Sequence, residues 1–383
     1  MNILLIGNLA EDRQESMQRF TALLRDGLQA RGHTVTVLAP TLRLARLGPK
    51  YRYGGLPKYL GYFDKFVLFP RRLRRFIRHH RPDVVHITDH ANAVYASAIE
   101  GVPVVATCHD LLQIRASLGE VPQQSVGYAG RKYQAWIRRA LGGLPLVACV
   151  SHQTRADLLR LTSLPPHHAV VIPNALNYAY APMPAAVAQS QLVNLSARHR
   201  LDPTVLDSTG RGFLLHVGGD QWYKNREGLL AIYSRLQSLL SPAPRLVLVG
   251  PPLGGTSSSQ SSLEGESAGI IFLHGVTNPE LAALYNLAKA LVFPSWEEGF
   301  GWPIAEAQAC GCPVFATNRA PMTEVGGDSS VYFDPQNPSD AAAVIAAAWP
   351  GRAARRALGL AESQRWQPAP MLEAYEALYR QPR

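Results

Sequence analysis

The sequence predicts an α/β protein with two doubly wound, Rossmann-like domains. Its 383 residues are too many for one typical domain and enough for two, each with its own core. Short, wholly apolar runs alternate with helical stretches, which is typical of parallel sheets covered by helices on both faces. These runs form two series, separated at 179–211 by a stretch rich in Pro, Ala, Ser and Gln. We therefore expect a first domain at 1–178, a second at 212–370 and an interdomain segment at 179–211.

The first series opens with a strand at Ile3 to Ile6, followed by an amphipathic helix from Ser16 to Ala30 that ends before Gly32. Alternation of strands and helices continues from there and predicts a parallel sheet. The strands expected next are Val35 to Leu38, Val84 to Ile87, Val102 to Thr107, Leu146 to Val150 and Ala169 to Ile172.

The second series repeats this pattern. The segment Gly254 to Gly269 is dense in Ser and Gly and is interpreted as a surface loop. A last helix is expected from about Met371, at 371–383. The expected strands are Phe213 to Val217, Leu246 to Val249, Ile270 to Leu273, Ala290 to Phe293, Val314 to Ala316 and Val331 to Phe333.

Composition favours a cytoplasmic protein. Although 47% of the residues are hydrophobic, no apolar run approaches the length that crosses a bilayer. The first apolar run, Ile3 to Ile6, is too short for a signal peptide. Cys310 and Cys312 lie too close together for an unstrained disulfide, so both are predicted to be small buried thiols.

A glycine-containing loop joins the strand Ala290 to Phe293 to a predicted helix with Pro303 at its first position. Glycines let a backbone approach a ligand closely, and the amides and dipole of a helix N-terminus favour an anion. The pattern therefore predicts a phosphate site. Its expected residues are Gly299, Phe300, Gly301 and Trp302.

Two glutamates, Glu298 in this loop and Glu306 in the helix, are separated by seven residues. Carboxylates repel a phosphate but accept hydrogen bonds from hydroxyls. A ligand with a pyrophosphate and a hydroxylated ring on either side suits both groups, which indicates a nucleotide sugar. In the alternative interpretation, Glu306 only stabilises its helix N-terminus and Glu298 is solvated.

The stretch from Pro294 to Val314 resembles the signature of the family-four retaining glycosyltransferases of GT-B fold, whose paired glutamates are separated by seven residues. This resemblance implies two Rossmann-like domains facing across a cleft, with the terminal helix packed back on the first. It also implies that Glu306 holds the donor ribose and that Glu298 contacts the donor sugar. The matching residues are Pro294-Ser295, Glu298-Gly299-Phe300-Gly301, Pro303, Glu306-Ala307 and Gly311-Cys312-Pro313-Val314.

A second loop, which contains Gly218, follows the strand Phe213 to Val217. In the family this loop supplies an Arg and a Lys to the diphosphate. Lys224 falls at the Lys position, whereas Gly219 occupies the usual Arg position. Arg226 replaces that arginine only if its side chain turns inward, and Lys224 is alternatively a residue of the helix surface.

His109 follows the strand Val102 to Thr107 and is expected at the carboxyl edge of the sheet. By resemblance, His109 lies near the donor sugar and donates a hydrogen bond to a hydroxyl. The first loop departs from the family's glycine pair, and polar groups of Asn8, Gln14 or Ser16 are candidates for acceptor contacts.

Aromatic and basic residues are mixed at 51–81, in a chain whose formal net charge is +10. This composition suits an anionic membrane, where rings lie at headgroup depth and arginines meet lipid phosphate. A core-packed helix with a solvated basic face explains the same pattern. Nucleic acid is the least favoured partner.

We conclude from the sequence that the protein is a retaining glycosyltransferase that moves a sugar from a nucleotide-diphosphate sugar to a glycan or lipid-linked acceptor. His109, Lys224 and Glu298 are its predicted catalytic residues. No Asp-x-Asp pair suits a metal-bound diphosphate, so neither a metal nor a further cofactor is expected. The alternatives are a GT-B epimerase or phosphorylase, and a catalytically inactive sugar-nucleotide-binding or membrane scaffold protein.

Overall fold

The computed structural model describes residues 1–12, 14–44, 55–206, 210–251 and 269–381. The chain divides into two compact units, Met1–Asn177 with Pro368–Arg383, and Tyr178–Gln367. The stretch 179–211, expected between the domains, therefore falls within the second unit.

The first unit contains a sheet whose strands are all parallel. Its strands are β1 (Asn2–Ile6), β2 (Thr34–Leu38), β3 (Val84–Ile87), β4 (Val104–Cys108), β5 (Val147–Cys149) and β6 (Ala169–Val171). They are ordered β2-β1-β3-β4-β5-β6. β4 begins two residues later than predicted, since Pro103 has no backbone N–H to donate to the ladder.

Helices connect these strands, as the alternating pattern predicts. In the first unit they are α1 (Glu15–Ala30), α2 (Gly55–Phe63), α3 (Phe69–His80), α4 (Leu112–Ser117), α5 (Tyr128–Gly142) and α6 (His152–Leu161). A π-helical turn at Asp64–Leu68 joins α2 to α3.

The second unit is built around another parallel sheet. Its strands are β7 (Phe213–Val217), β8 (Arg245–Val249), β9 (Ile270–Leu273), β10 (Ala290–Phe293), β11 (Val314–Thr317) and β12 (Val331–Phe333). They are ordered β12-β11-β10-β7-β8-β9. The predicted loop Gly254 to Gly269 lies outside the described residues except for Gly269.

Helices again cover this sheet, so that all four residues of β10 are fully buried. The helices are α7 (Ala185–Arg198), α8 (Arg226–Leu239), α9 (Asn278–Leu287), α10 (Trp302–Ala309), α11 (Met322–Gly326), α12 (Pro338–Ala348) and α13 (Arg355–Ser363). Strands buried on both faces are what a doubly wound sheet requires. The predicted fold class, two Rossmann-like α/β domains, is confirmed.

The last helix, α14 (Pro368–Tyr379), belongs to the first unit. A buried polar network attaches it to the sheet. The His86 ring lies 2.7 Å from the Tyr379 hydroxyl and 2.8 Å from Thr107 Oγ1, which in turn lies 2.8 Å from the Tyr375 hydroxyl. Each polar group there has a partner, so burial costs little.

None of the helices in the described ranges combines the length and apolar character needed to span a bilayer. All four cysteines are buried and unpaired, as predicted for Cys310 and Cys312.

Candidate active site

The candidate site of the second unit lies at the carboxyl edge of its sheet. There β7 and β10 are neighbours, so the loops that follow them emerge side by side. The first loop carries Lys224 and the second carries Glu298. In open α/β sheets, ligands bind at this edge.

Two hydrogen bonds join these loops directly. Asn225 has a left-handed backbone, with φ 51°, and its Oδ1 accepts from the Gly228 amide to cap α8. Its Nδ2 donates to the Pro294 carbonyl at 3.0 Å, and the Trp296 amide donates to the Tyr223 carbonyl at 2.7 Å. The loops are therefore held in a fixed register by backbone and amide groups.

Lys224 and Glu298 form an ion pair, with 2.7 Å between Nζ and Oε1. Their side chains are 14% and 9% exposed, so the pair is only partly screened by water. The Nζ also lies 5.3 Å from the centre of the Phe293 ring, within cation–π range. The structure thus brings together two residues that the sequence predicted for one site.

Glu306 lies on α10 and is 4% exposed. Its Oε2 accepts a hydrogen bond from the Tyr285 hydroxyl at 2.9 Å. Burial, and secondarily the nearby Glu306 carboxylate, raises the pKa of Tyr285 well above its usual range, so the hydroxyl remains a donor. Tyr285 fixes the orientation of the carboxylate, a positioning role that the sequence did not suggest.

The helix that carries Glu306 begins at Trp302, one residue earlier than predicted, with Pro303 second. Gly301 precedes it with φ 97°, a conformation that favours glycine. Gly301 is the N-cap residue and has no side chain with which to cap the helix. Phe300 is buried edge-on against Trp366, with 5.3 Å between the ring centres, which anchors the loop.

Arg226 is 5% exposed, and its side chain contacts the loop after β7 instead of pointing into the candidate site. Its guanidinium donates to the Gly218 carbonyl at 2.6 Å and to the Pro251 carbonyl at 3.0 Å. The Gly218 loop also packs closely against Gly250, because a Cβ at Gly250 would lie 2.2 Å from the Gly218 oxygen. The side chain therefore holds the Gly218 loop, which is a structural reason against its replacing an arginine at Gly219.

In the first unit, His109 is 4% exposed and its Nε2 lies 2.9 Å from the Thr88 carbonyl oxygen. A carbonyl only accepts, so Nε2 carries the proton. Burial lowers the pKa of His109, against an opposing effect of Asp89, so the neutral ring presents Nδ1 as an acceptor. Within the described chain Nδ1 has no hydrogen-bond partner. In this ring orientation Nδ1 can accept a hydrogen bond from a hydroxyl but not donate one, and contact of His109 with the donor sugar stays a prediction.

The first loop forms a polar cluster around Asn8. Its Nδ2 donates to Gln14 Oε1 and, at 2.5 Å, to Asp89 Oδ2, while its Oδ1 accepts from Asn92 at 2.6 Å. Asp89 is 2% exposed. Burial alone would raise the pKa of Asp89, but His90, His109 and its hydrogen bonds produce a net lowering.

Asp89 and Asn92 were missed by the sequence analysis. The available signal was their position directly after the buried strand β3, where parallel sheets place ligand-binding residues. Ser16, a predicted acceptor residue, is exposed near the start of α1, and no hydrogen bond joins its side chain to this cluster.

The basic aromatic stretch 51–81 is described from residue 55, with side chains from residue 59. Phe69, Leu73 and Ile77 bury one face of α3. The rings of Tyr59 and Phe63 are 69% and 44% exposed. The stretch therefore has both a core-packed face and exposed rings. Arginines lie exposed at 71, 72, 75 and 78.

Two protein-family models match the chain. The model described as Glycosyltransferase Family 4 matches residues 17–180, and Glycosyl transferases group 1 matches residues 201–363. Together they span most of both units.

Curated relatives include O-antigen chain mannosyltransferase B of Escherichia coli, which is 27% identical over 273 residues, 71% of this chain and 66% of that protein. The D-inositol 3-phosphate glycosyltransferase of Pseudarthrobacter chlorophenolicus is 27% identical over 273 residues, 68% of this chain and 59% of that protein. The chain thus spans 66% or less of the length of these relatives.

Solved structures share the fold over nearly the whole chain. The sucrose-phosphate synthase of Thermosynechococcus elongatus superposes with a TM-score of 0.74 at 19% identity, covering 99% of this chain and 98% of that one. Anabaena HepE in complex with UDP and glucose gives a TM-score of 0.69 at 17% identity, covering 100% of both chains.

Two Rossmann-like units, each built on a parallel six-stranded sheet, define the GT-B fold. The chain belongs to family four of the glycosyltransferases.

Proposed function

We propose that the protein is a retaining glycosyltransferase that uses a nucleotide-diphosphate sugar, without a metal ion, and a glycan or lipid-linked acceptor. The observation that carries the proposal is the Lys224–Glu298 ion pair, which lies between the loops after β7 and β10. Lys224 supplies positive charge for a diphosphate. Glu298 and Glu306 supply acceptors for sugar and ribose hydroxyls, respectively.

The chemistry asks little of the protein beyond positioning and charge. The bond between the anomeric carbon and the diphosphate oxygen breaks, and its electron pair leaves with the diphosphate. The acceptor oxygen bonds to the anomeric carbon on the same face, and its proton passes to the departing phosphate oxygen. Lys224 and the N-terminus of α10 stabilise the charge that develops on the diphosphate.

The comparisons support a nucleotide-sugar donor. Solved structures of HepE contain UDP or UDP-glucose, and the curated relatives include mannosyltransferases. These ligands and activities belong to those proteins. For this chain they favour the class of donor and leave open the base, the sugar and the acceptor.

A second candidate, a protein that binds a sugar nucleotide without turnover, is favoured by one feature of the site. Gly219 has no side chain to offer the diphosphate, and the Arg226 guanidinium binds loop carbonyls. Lys224 would then act without the second cation that the family's loop supplies.

Release of nucleoside diphosphate from a panel of UDP, GDP and ADP sugars distinguishes the two candidates. We expect at least slow, EDTA-resistant release from one donor, and loss of that release in Glu298→Ala. Glu227→Ala is the matched control, because Glu227 is an exposed carboxylate in the first turn of α8. Tight donor binding without any release would favour the binding protein. Full loss of activity in EDTA, restored by magnesium, would contradict the metal-free mechanism.

We also propose that the protein acts at the cytoplasmic face of an anionic membrane if its acceptor is lipid-linked. The exposed rings of Tyr59, Tyr62 and Phe63 and the arginines of α3 suit such a surface.

A further inference from the structure

An open pocket of about 370 Å³ lies in the first unit, between the loop after β2 and the helix α3. Its volume is within the range of small-molecule sites. The lining residues are Thr41, Arg43, Asp64, Leu68, Phe69, Arg71, Arg72 and Arg75.

Positive charge dominates this pocket, which contains four arginines and one carboxylate, a formal balance of 4 − 1 = +3. Arg71, Arg72 and Arg75 are neighbours on α3, because residues three and four apart lie on the same helix face. Arg43 comes from the loop after β2. No ion pair joins any of the four to a carboxylate of the described chain.

The carboxylate, Asp64, holds the opposite wall of the pocket in place. It is 1% exposed, and its oxygens accept the backbone amides of Arg43 at 2.9 Å and Leu44 at 3.0 Å. The aspartate is thus used to hold the Arg43 backbone against the start of α3. These hydrogen bonds turn the carboxylate toward the backbone of the loop after β2.

Guanidinium groups recognise phosphate oxygens through paired, charge-assisted hydrogen bonds. Concave surfaces with one sign of charge also concentrate ions of the opposite sign. We propose that this pocket binds a phosphoryl group, either the phosphate or diphosphate of an acceptor or the headgroup of an anionic lipid. The site belongs to the first unit, whereas Lys224 and Glu298 belong to the second.

Calorimetric titration with inorganic pyrophosphate tests the site. Every protein compared carries Lys224→Ala, so that the cation of the donor site is absent. We expect Arg71→Gln/Arg75→Gln to weaken pyrophosphate binding at least tenfold, since each substitution removes a charged hydrogen bond to the ligand.

Arg78→Gln is the control, because it removes one positive charge, half the loss in the double variant, from an exposed position of α3 outside the pocket. It should weaken pyrophosphate binding less than about twofold if the effect is local to the pocket. Equal weakening in the two variants, when both are corrected for charge, overturns the proposal, as does a parent protein that binds no pyrophosphate. Thermal denaturation confirms that each variant is folded.

Co-sedimentation with phosphatidylglycerol vesicles, with Lys224 intact, distinguishes the two sources of phosphate. A larger loss per charge in Arg71→Gln/Arg75→Gln than in Arg78→Gln assigns the phosphate to a lipid headgroup. If each charge removed lowers vesicle co-sedimentation equally in the two variants, the phosphate is assigned to an acceptor in solution. Hydrolysis of the donor should stay at the wild-type rate in the pocket variants, so failure of this proposal is distinguishable from failure of the proposed donor chemistry.

Discussion

The Lys224 ammonium lies 2.7 Å from the Glu298 carboxylate, although the two residues are 74 positions apart in the chain. A donor diphosphate bound at Lys224 would compete with this carboxylate for the same cation. Glu298 would then be released to accept hydrogen bonds from the donor sugar. Under the proposed function, the ion pair would link binding of the leaving group to positioning of the sugar.

Substitution of the cation tests its role in departure of the diphosphate. Lys224→Ala should lower the rate of transfer by about a hundredfold, because loss of one preorganised group facing a developing anion costs roughly 3 kcal/mol. Measurement of kcat for the preferred donor checks this. A rate within a few-fold of wild type would exclude Lys224 from stabilising the leaving group.

The double variant Lys224→Ala/Glu298→Ala provides the control for that experiment. Lys224→Ala alone leaves a largely buried carboxylate without its cation, which is destabilising in itself. Recovery of thermal stability in the double variant, without recovery of kcat, separates the two effects.

The two glutamates should have different functions. Glu306→Gln keeps the size of the side chain and an acceptor for Tyr285, so it should fold while binding nucleoside diphosphate more weakly. Glu298→Gln should mainly lower kcat, because it misplaces the sugar. Calorimetric affinity and steady-state rates distinguish them, and equal effects of both variants on affinity and kcat would contradict the assignment.

Much of this site could be predicted from sequence because its loops carry short, dense motifs. Position after an apolar strand indicated the sheet edge for the loops that carry Lys224 and Glu298. The resemblance to the family singled out Lys224 and paired Glu298 with Glu306. The contacts of Asn225 with Pro294 and of Tyr285 with Glu306 were not predictable, because they join residues distant in the chain. The direction of the Arg226 side chain was not predictable either, because it is set by contacts with the carbonyls of Gly218 and Pro251.

The buried His86 should make the free energy of unfolding depend on pH. Burial lowers the pKa of His86 from 6.5 to about 3. The unfolded chain therefore binds one more proton between these values, and the free energy of unfolding falls as pH drops below 6.5, by up to about 1.4 kcal/mol per pH unit from this residue. More than about one pH unit above 6.5 the residue should contribute almost no slope.

Denaturant unfolding at several pH values measures that slope. His86→Gln retains a donor and an acceptor for Tyr379 and Thr107 but does not titrate, so its slope between pH 4 and pH 6 should be smaller than that of wild type. Parallel curves for the two proteins would show that His86 does not contribute.

Substitution of Arg226 tests whether its guanidinium only holds the Gly218 loop or contacts the diphosphate directly. Because its guanidinium binds the carbonyls of Gly218 and Pro251, Arg226→Met should leave two acceptors without their donor and lower the melting temperature by several degrees. Lys224→Ala should instead weaken binding of nucleoside diphosphate far more than binding of the unphosphorylated nucleoside. If Arg226 only holds the loop, Arg226→Met should change the ratio of these two affinities much less than Lys224→Ala does. A ratio lowered as strongly in Arg226→Met would mean that the guanidinium leaves the loop carbonyls and contacts the diphosphate, supplying the cation that Gly219 lacks.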